Sequence, residues 1–185
     1  MARHCAMVVD VFTALSYIVK EMDKDGIDVY FTISEAHQKK VKKTSKLHSK
    51  VHHHVQHGHS TTDINIRLTR ILEEYKSNLE TPRWYQARPK PLSLYILTDG
   101  MWEKDCTAVG PIENAVRKLE DLRKDDSQIG IQFISFGADS GGLKRLKYLD
   151  DELNLGRDIV DTEPCDGNVY KMLLGPISKS YDNHT

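Results

Sequence analysis

Apolar positions recur at helical spacing over the first two dozen residues. Val8, Val9, Phe12, Leu15, Ile18, Val19 and Met22 surround a narrow polar stripe of Asp10, Thr13, Ser16 and Lys20. Side chains three and four apart share a helix face, so the pattern predicts a core-packed helix, buried nearly all round. Asp23-Lys-Asp-Gly26 ends it in a turn, and Ile27 to Ile33 is β-branched and aromatic enough for a strand. Lys39 to Val55 is polar but sets Leu47, Val51 and Val55 four apart, which predicts a short, weakly specified helix with one apolar line. Ser60-Thr-Thr-Asp63 then offers N-cap oxygens to a helix through Ile64, Leu68, Ile71, Leu72 and Tyr75, closed by Asn78 and Pro82.

After a loop from Pro82 to Pro91, Leu92 to Thr98 is a near-continuous apolar run, which predicts a strand buried on both faces. Ile129 to Phe136 is a second. Between them a helix starts near Pro111 and carries Ile112, Ala115, Val116, Leu119 and Leu122. Gly137 to Gly142 leads into a helix bearing Leu143, Leu146, Leu149 and Leu153, then a short strand Asp158 to Asp161 and a last helix from Asn168 to about Lys179. Strands separated by helices of this length pair in parallel through right-handed crossovers. The expected fold is therefore α/β, a Rossmann-like open, mostly parallel sheet with helices on both faces.

Composition narrows the function classes. The chain has 185 residues, 39% hydrophobic and 29% charged, the balance of one globular domain spanning 1–180 with a tail at 181–185. No run reaches the roughly 18 apolar residues of a membrane-spanning helix, and no small-residue cleavage site follows the first helix. Cys5, Cys106 and Cys165 are widely spaced and form no C-x-x-C, which argues for a reducing, cytoplasmic or otherwise intracellular setting. A net charge of −1 gives no overall field to collect nucleic acid or anionic lipid, so neither partner is expected.

Four stretches carry a family resemblance: Leu97-Thr-Asp-Gly100 after the buried strand, Ser60-Thr-Thr-Asp-Ile64 opening a helix, the strand entry Asp25-Gly-Ile-Asp-Val-Tyr-Phe31, and Ile131-Gln-Phe-Ile-Ser-Phe-Gly137. In this order and spacing the chain resembles a von Willebrand factor type A domain from Met1 to about Ser180. Such domains begin with a central strand ending in D-x-S-x-S, followed by a helix like the one that carries Val8 to Met22 here. That strand and its three oxygen-bearing residues are not in this sequence, so the resemblance implies a sheet with its N-terminal central strand missing.

The resemblance also implies a role: a non-enzymatic protein-protein interaction domain that captures its partner through a metal-ion-dependent adhesion site. By position, Thr62 would be the helix-entry hydroxyl ligand and Asp99 the carboxylate ligand of a Mg²⁺ ion, with an acidic side chain of an unidentified partner protein completing the shell. Mg²⁺ wants six hard oxygens in near-octahedral geometry. With D-x-S-x-S absent, two protein ligands of a nominal five remain, so no cofactor is expected unless that strand is restored. The plainer expectation is that Thr61 or Thr62 caps a helix and Asp99 makes an Asx turn with Gly100.

Two other stretches carry candidate chemistry. Residues 36–62 hold six Lys, no acid and most of the nine His, a local charge of +6 that leaves −7 for the rest of the chain. His48 and His52, and His53 and His57, are four apart and could each chelate a transition metal from one helix face. A basic Lys/His-rich insertion at 36–60, solvated and dispensable for folding, is the preferred reading, since no Cys or carboxylate accompanies the imidazoles. The alternative function is a nucleotide- or phosphate-binding α/β enzyme using the 137–142 Gly-rich loop, Gly137-Ala-Asp-Ser-Gly-Gly142. Its spacing is neither G-x-G-x-x-G nor Walker A, and no catalytic residues are assigned. Trp84, Tyr85 and Trp102 near loop ends are candidates for a contact surface or for loop anchors.

Overall fold

In a computed structural model of the chain, residues 1–32, 34–57, 63–81 and 89–175 are described. The elements run α1 (Cys5–Met22), β1 (Ile27–Tyr30), β2 (His37–Val41), α2 (Ser45–His57), α3 (Ile64–Glu80), β3 (Leu92–Thr98), α4 (Val109–Asp121), β4 (Ile129–Ser135), α5 (Ser140–Lys147), β5 (Val160–Pro164) and α6 (Val169–Leu174). A π-helical turn, Tyr148–Glu152, extends α5.

Every residue of β4 is buried, and this strand is the axis of the sheet. It pairs in parallel with β3 on one side and β5 on the other, with Leu94, Ile131 and Val160 in one row and Ile96, Phe133 and Thr162 in the next. Alternate side chains of β4 leave opposite faces. Ile129, Ile131 and Phe133 meet the buried residues of α3, α4 and the α5 region, namely Leu68, Leu72, Ile112, Leu119, Leu146 and Leu149 among others. Ile134 and Phe136 meet Val8 and Leu15 of α1 and Met172 and Leu173 of α6. The α/β class, the parallel strands and the helical cover on both faces thus stand as the apolar pattern anticipated.

Several details differ. The run Leu92–Thr98 is buried only at Thr98; its other residues are exposed or half-buried. The reason is its place in the sheet. Phe136 N–H donates to Thr98 O at 2.9 Å, so Thr98 turns its peptide groups toward β4, and alternation turns those of Ser93, Tyr95 and Leu97 outward. Among the described residues no strand pairs with that outer side. Helix α1 is likewise not buried nearly all round: Val8, Val9, Leu15 and Ser16 are buried while Tyr17 and Met22 are exposed, because the helix covers one sheet face and meets water on its far side. The last strand runs Val160–Pro164, later than the expected Asp158 to Asp161, and α6 is described only to Leu174.

Strand β1 ends at Tyr30 and pairs antiparallel with β2, a strand the polar sequence His37-Gln-Lys-Lys-Val41 did not announce. Ile27 faces Val41, Val29 faces Gln38 and Tyr30 faces His37, with an irregular register between the first two pairs. Lys40 takes φ 53° there, and its N–H donates to Asp28 Oδ1 at 2.7 Å. Ion pairing of Lys39 with Glu74 and donation from Arg67 Nη2 to Ser34 O, 2.5 Å, tie this hairpin to α3.

The Lys/His segment is not a merely solvated insertion. Its apolar line is real: Leu47 is 1% and Val51 4% exposed, and Val55 packs with the α1 and α6 cluster, while His48, Lys50, His52, His53 and His57 stay exposed. Among the described residues no helix is long and apolar enough to cross a membrane. The burial of α2 makes a quantitative forecast: Leu47→Ala should cost about 2–5 kcal/mol, the range for truncating a buried leucine, where a solvated helix would lose about 0.5 kcal/mol or less. Urea unfolding with an unchanged m-value reads the difference.

Candidate functional site at the carboxyl edge of the sheet

In open α/β sheets the crevice beyond the carboxyl ends of the strands is where ligands bind. Here that edge is built by Thr98-Asp99-Gly100 after β3, Phe136-Gly137 after β4, and the start of α5. Thr98 is buried, and its Oγ1 accepts from Gly100 N–H at 3.1 Å and from the Trp102 indole N–H at 2.9 Å. Trp102 is therefore an anchor folded under its own loop rather than a contact surface. Arg145 of α5 lies over the Trp102 ring, 5.5 Å from its centroid, and donates Nη1 to Gly100 O at 2.7 Å.

Two glycines let the β3 loop and α5 meet backbone to backbone. Gly100 has φ +68°, a conformation that side chains rarely adopt, and a Cβ there would lie 2.6 Å from Gly142 Cα. A Cβ on Gly142 would run into the carbonyl oxygen of Asp99. This contact fixes the position of Asp99.

The Asp99 side chain is 10% exposed. One carboxylate oxygen takes the ammonium of Met1, and the other accepts Met101 N–H at 3.3 Å, the expected Asx turn with Gly100 as its middle residue. Thr62, the other candidate ligand, lies outside the described residues. Among the described residues no group of three or more His, Cys, Asp or Glu is placed to hold a metal ion.

The 137–142 loop is closed in a different way. Asp139 caps α5, its Oδ1 accepting Gly142 N–H at 2.9 Å. His4 lies against Gly137: a Cβ there would come within 2.6 Å of His4 Nε2. Neither Arg145 nor His4 was marked by any sequence spacing. Arg145 sits among the leucines of its helix and His4 in a turn before α1, and only the fold brings them to this edge.

The cap of α3, expected from Thr61 or Thr62, is instead Asp63, the residue next to the helix, which accepts from Asn65 N–H at 2.8 Å and Ile66 N–H at 3.3 Å. Asn65 in turn accepts Ala108 N–H at 2.8 Å, which ties α3 to the start of α4. The Cys106 thiol donates to Asp63. This bond, with burial and the nearby acids, pushes the thiol up to about 11, and it holds the Asp63 carboxyl below its ordinary value. A thiol so raised is protonated at neutral pH and is a poor nucleophile. Trp84 and Tyr85 lie outside the described residues. No protein-family model, curated protein or solved structure matches the chain.

Two outcomes follow from this geometry. Gly142→Ala forces apart the loop and the helix and should cost about 1–3 kcal/mol, as overpacking does, measured by denaturant unfolding. Asp63→Ala should cost about 1 kcal/mol at pH 7 through the lost cap. Because the folded-state carboxyl titrates below its unfolded value, its contribution is complete above that value and fades as pH falls through the lower one. The gap between variant and parent, followed by urea unfolding at stepped pH, should therefore narrow below about pH 4.

Proposed function

We propose that the chain is a non-enzymatic protein-protein interaction domain of the von Willebrand type A class with an incomplete metal-ion-dependent adhesion site. The observation that supports it best is the placement of Asp99. A parallel strand of an α/β sheet delivers it to the carboxyl edge, and a backbone contact between Gly100 and Gly142 holds its loop there. The motif order that led to this family in the sequence supports the same reading.

In this proposal the divalent ion, bound only when further oxygen ligands join Asp99 and Thr62, recruits an acidic side chain of a partner protein. The chain by itself binds no such ion tightly, since the cost of stripping water from Mg²⁺ is offset only by a nearly full set of hard oxygens. Three unpaired thiols, Cys5, Cys106 and Cys165, favour an intracellular setting.

Calorimetry tests the reading in two steps. The chain as given should show no Mg²⁺ binding tighter than about millimolar, the weak end of carboxylate sites. Adding ahead of Met1 an apolar strand that ends in D-x-S-x-S should bring the dissociation constant well below that, and Asp99→Ala should abolish the gain. An extended, folded chain that binds no Mg²⁺ would overturn the family reading. Micromolar binding by the unextended chain, lost in Asp99→Ala, would overturn the incompleteness of the site.

A further inference from the structure

The imidazoles at the end of α2 form a second cluster, separate from the side chains that build the carboxyl edge. His53 and His57 are four residues apart on the helix, so they share a face. Their rings are in contact, centroids 4.4 Å apart and planes tilted by 38°. Both side chains are exposed. His57 Nδ1 lies 2.8 Å from the carbonyl oxygen of His53. A carbonyl oxygen only accepts, so Nδ1 must carry the proton, and the neutral ring then presents an unprotonated Nε2 to solvent. This is the arrangement in which a metal-ligating histidine is held by a second partner, here the backbone of the other ligand's own residue.

We propose that His53 and His57 chelate one borderline transition cation, Zn²⁺ as the type case, through their Nε2 atoms, with water filling the remaining positions. Nitrogen ligands without carboxylates select this class of ion over Mg²⁺ or Ca²⁺. The site sits in the last turn of the helix, where the negative end of the helix dipole favours a cation, which offsets part of the repulsion from Lys50 one turn earlier. His48 and His52 have the same spacing but lie earlier in the helix, and no such ring contact or orienting bond holds them among the described residues. His54 is spent elsewhere: it stacks on Phe31 at 3.9 Å and joins α2 to the β1 end. The sequence showed both pairs alike; the ring contact and the Nδ1 bond distinguish them.

The test uses the full chain and ZnCl₂ in isothermal calorimetry at neutral pH. The parent should bind one Zn²⁺ per chain. The double variant His53→Gln/His57→Gln should weaken binding at least about 10-fold, and His48→Gln/His52→Gln should leave it within a few-fold of the parent. Both pairs are exposed, and circular dichroism verifies that each variant keeps its helices. Nitrogen-15 spectra of the histidines should show Zn²⁺ on His57 Nε2 with Nδ1 still protonated. Absence of saturable Zn²⁺ binding, equal losses in the two double variants, or metal on Nδ1 of His57 would overturn the proposal.

Discussion

Complete burial of one strand is the constraint from which the remaining architecture follows. β4 has no exposed residue, so it needs a strand on each side and helices above and below. The chain answers with β3 and β5 as parallel neighbours, α3, α4 and α5 on one face, and α1 and α6 on the other. Parallel pairing sends all three strands to the same edge. Asp99, Gly137 and the cap of α5 meet there for that reason and not because they are close in sequence.

At that edge sterics and electrostatics act together. The Gly100–Gly142 contact brings a loop and a helix start closer than side chains would allow, and Arg145 fastens the same loop through Gly100 O. The carboxylates there are already engaged: Asp99 with the Met1 ammonium and Met101 N–H, Asp139 with the first turn of α5. His53 and His57 of α2 differ in that their side chains are exposed and their rings are in contact.

Much of this architecture was legible in the sequence, because the strongest periodic signals belong to the most buried elements. The apolar runs at Leu92–Thr98 and Ile129–Phe136, the 3.6-residue pattern of α1, α3 and α4, and the strand–helix alternation required only local pattern. Edge position was not legible. Leu92–Thr98 reads like a central strand, yet only its neighbours decide whether both sides are covered. β2 was hidden because its polar residues acquire a strand conformation from pairing with β1 and from the ties of Lys39 and Arg67 to α3 and the preceding loop. The four-residue spacing of Leu47, Val51 and Val55 announced a helix, but the surrounding lysines and histidines concealed that its apolar line is buried. At the carboxyl edge the Asx turn of Asp99 was readable; Arg145, His4 and the Asp63–Cys106 bond arise from contacts between elements distant in sequence.

The central claim, that the sheet is organised on β4 and that among the described residues no strand covers the outer side of β3, is tested most directly by amide hydrogen exchange resolved by residue. The alternation of peptide groups predicts slow exchange throughout β4 and at Leu94 and Ile96 of β3, with fast exchange at Ser93, Tyr95 and Leu97. Equal, strong protection of Ser93, Tyr95 and Leu97 would contradict it, because another strand would then have to cover the outer side of β3.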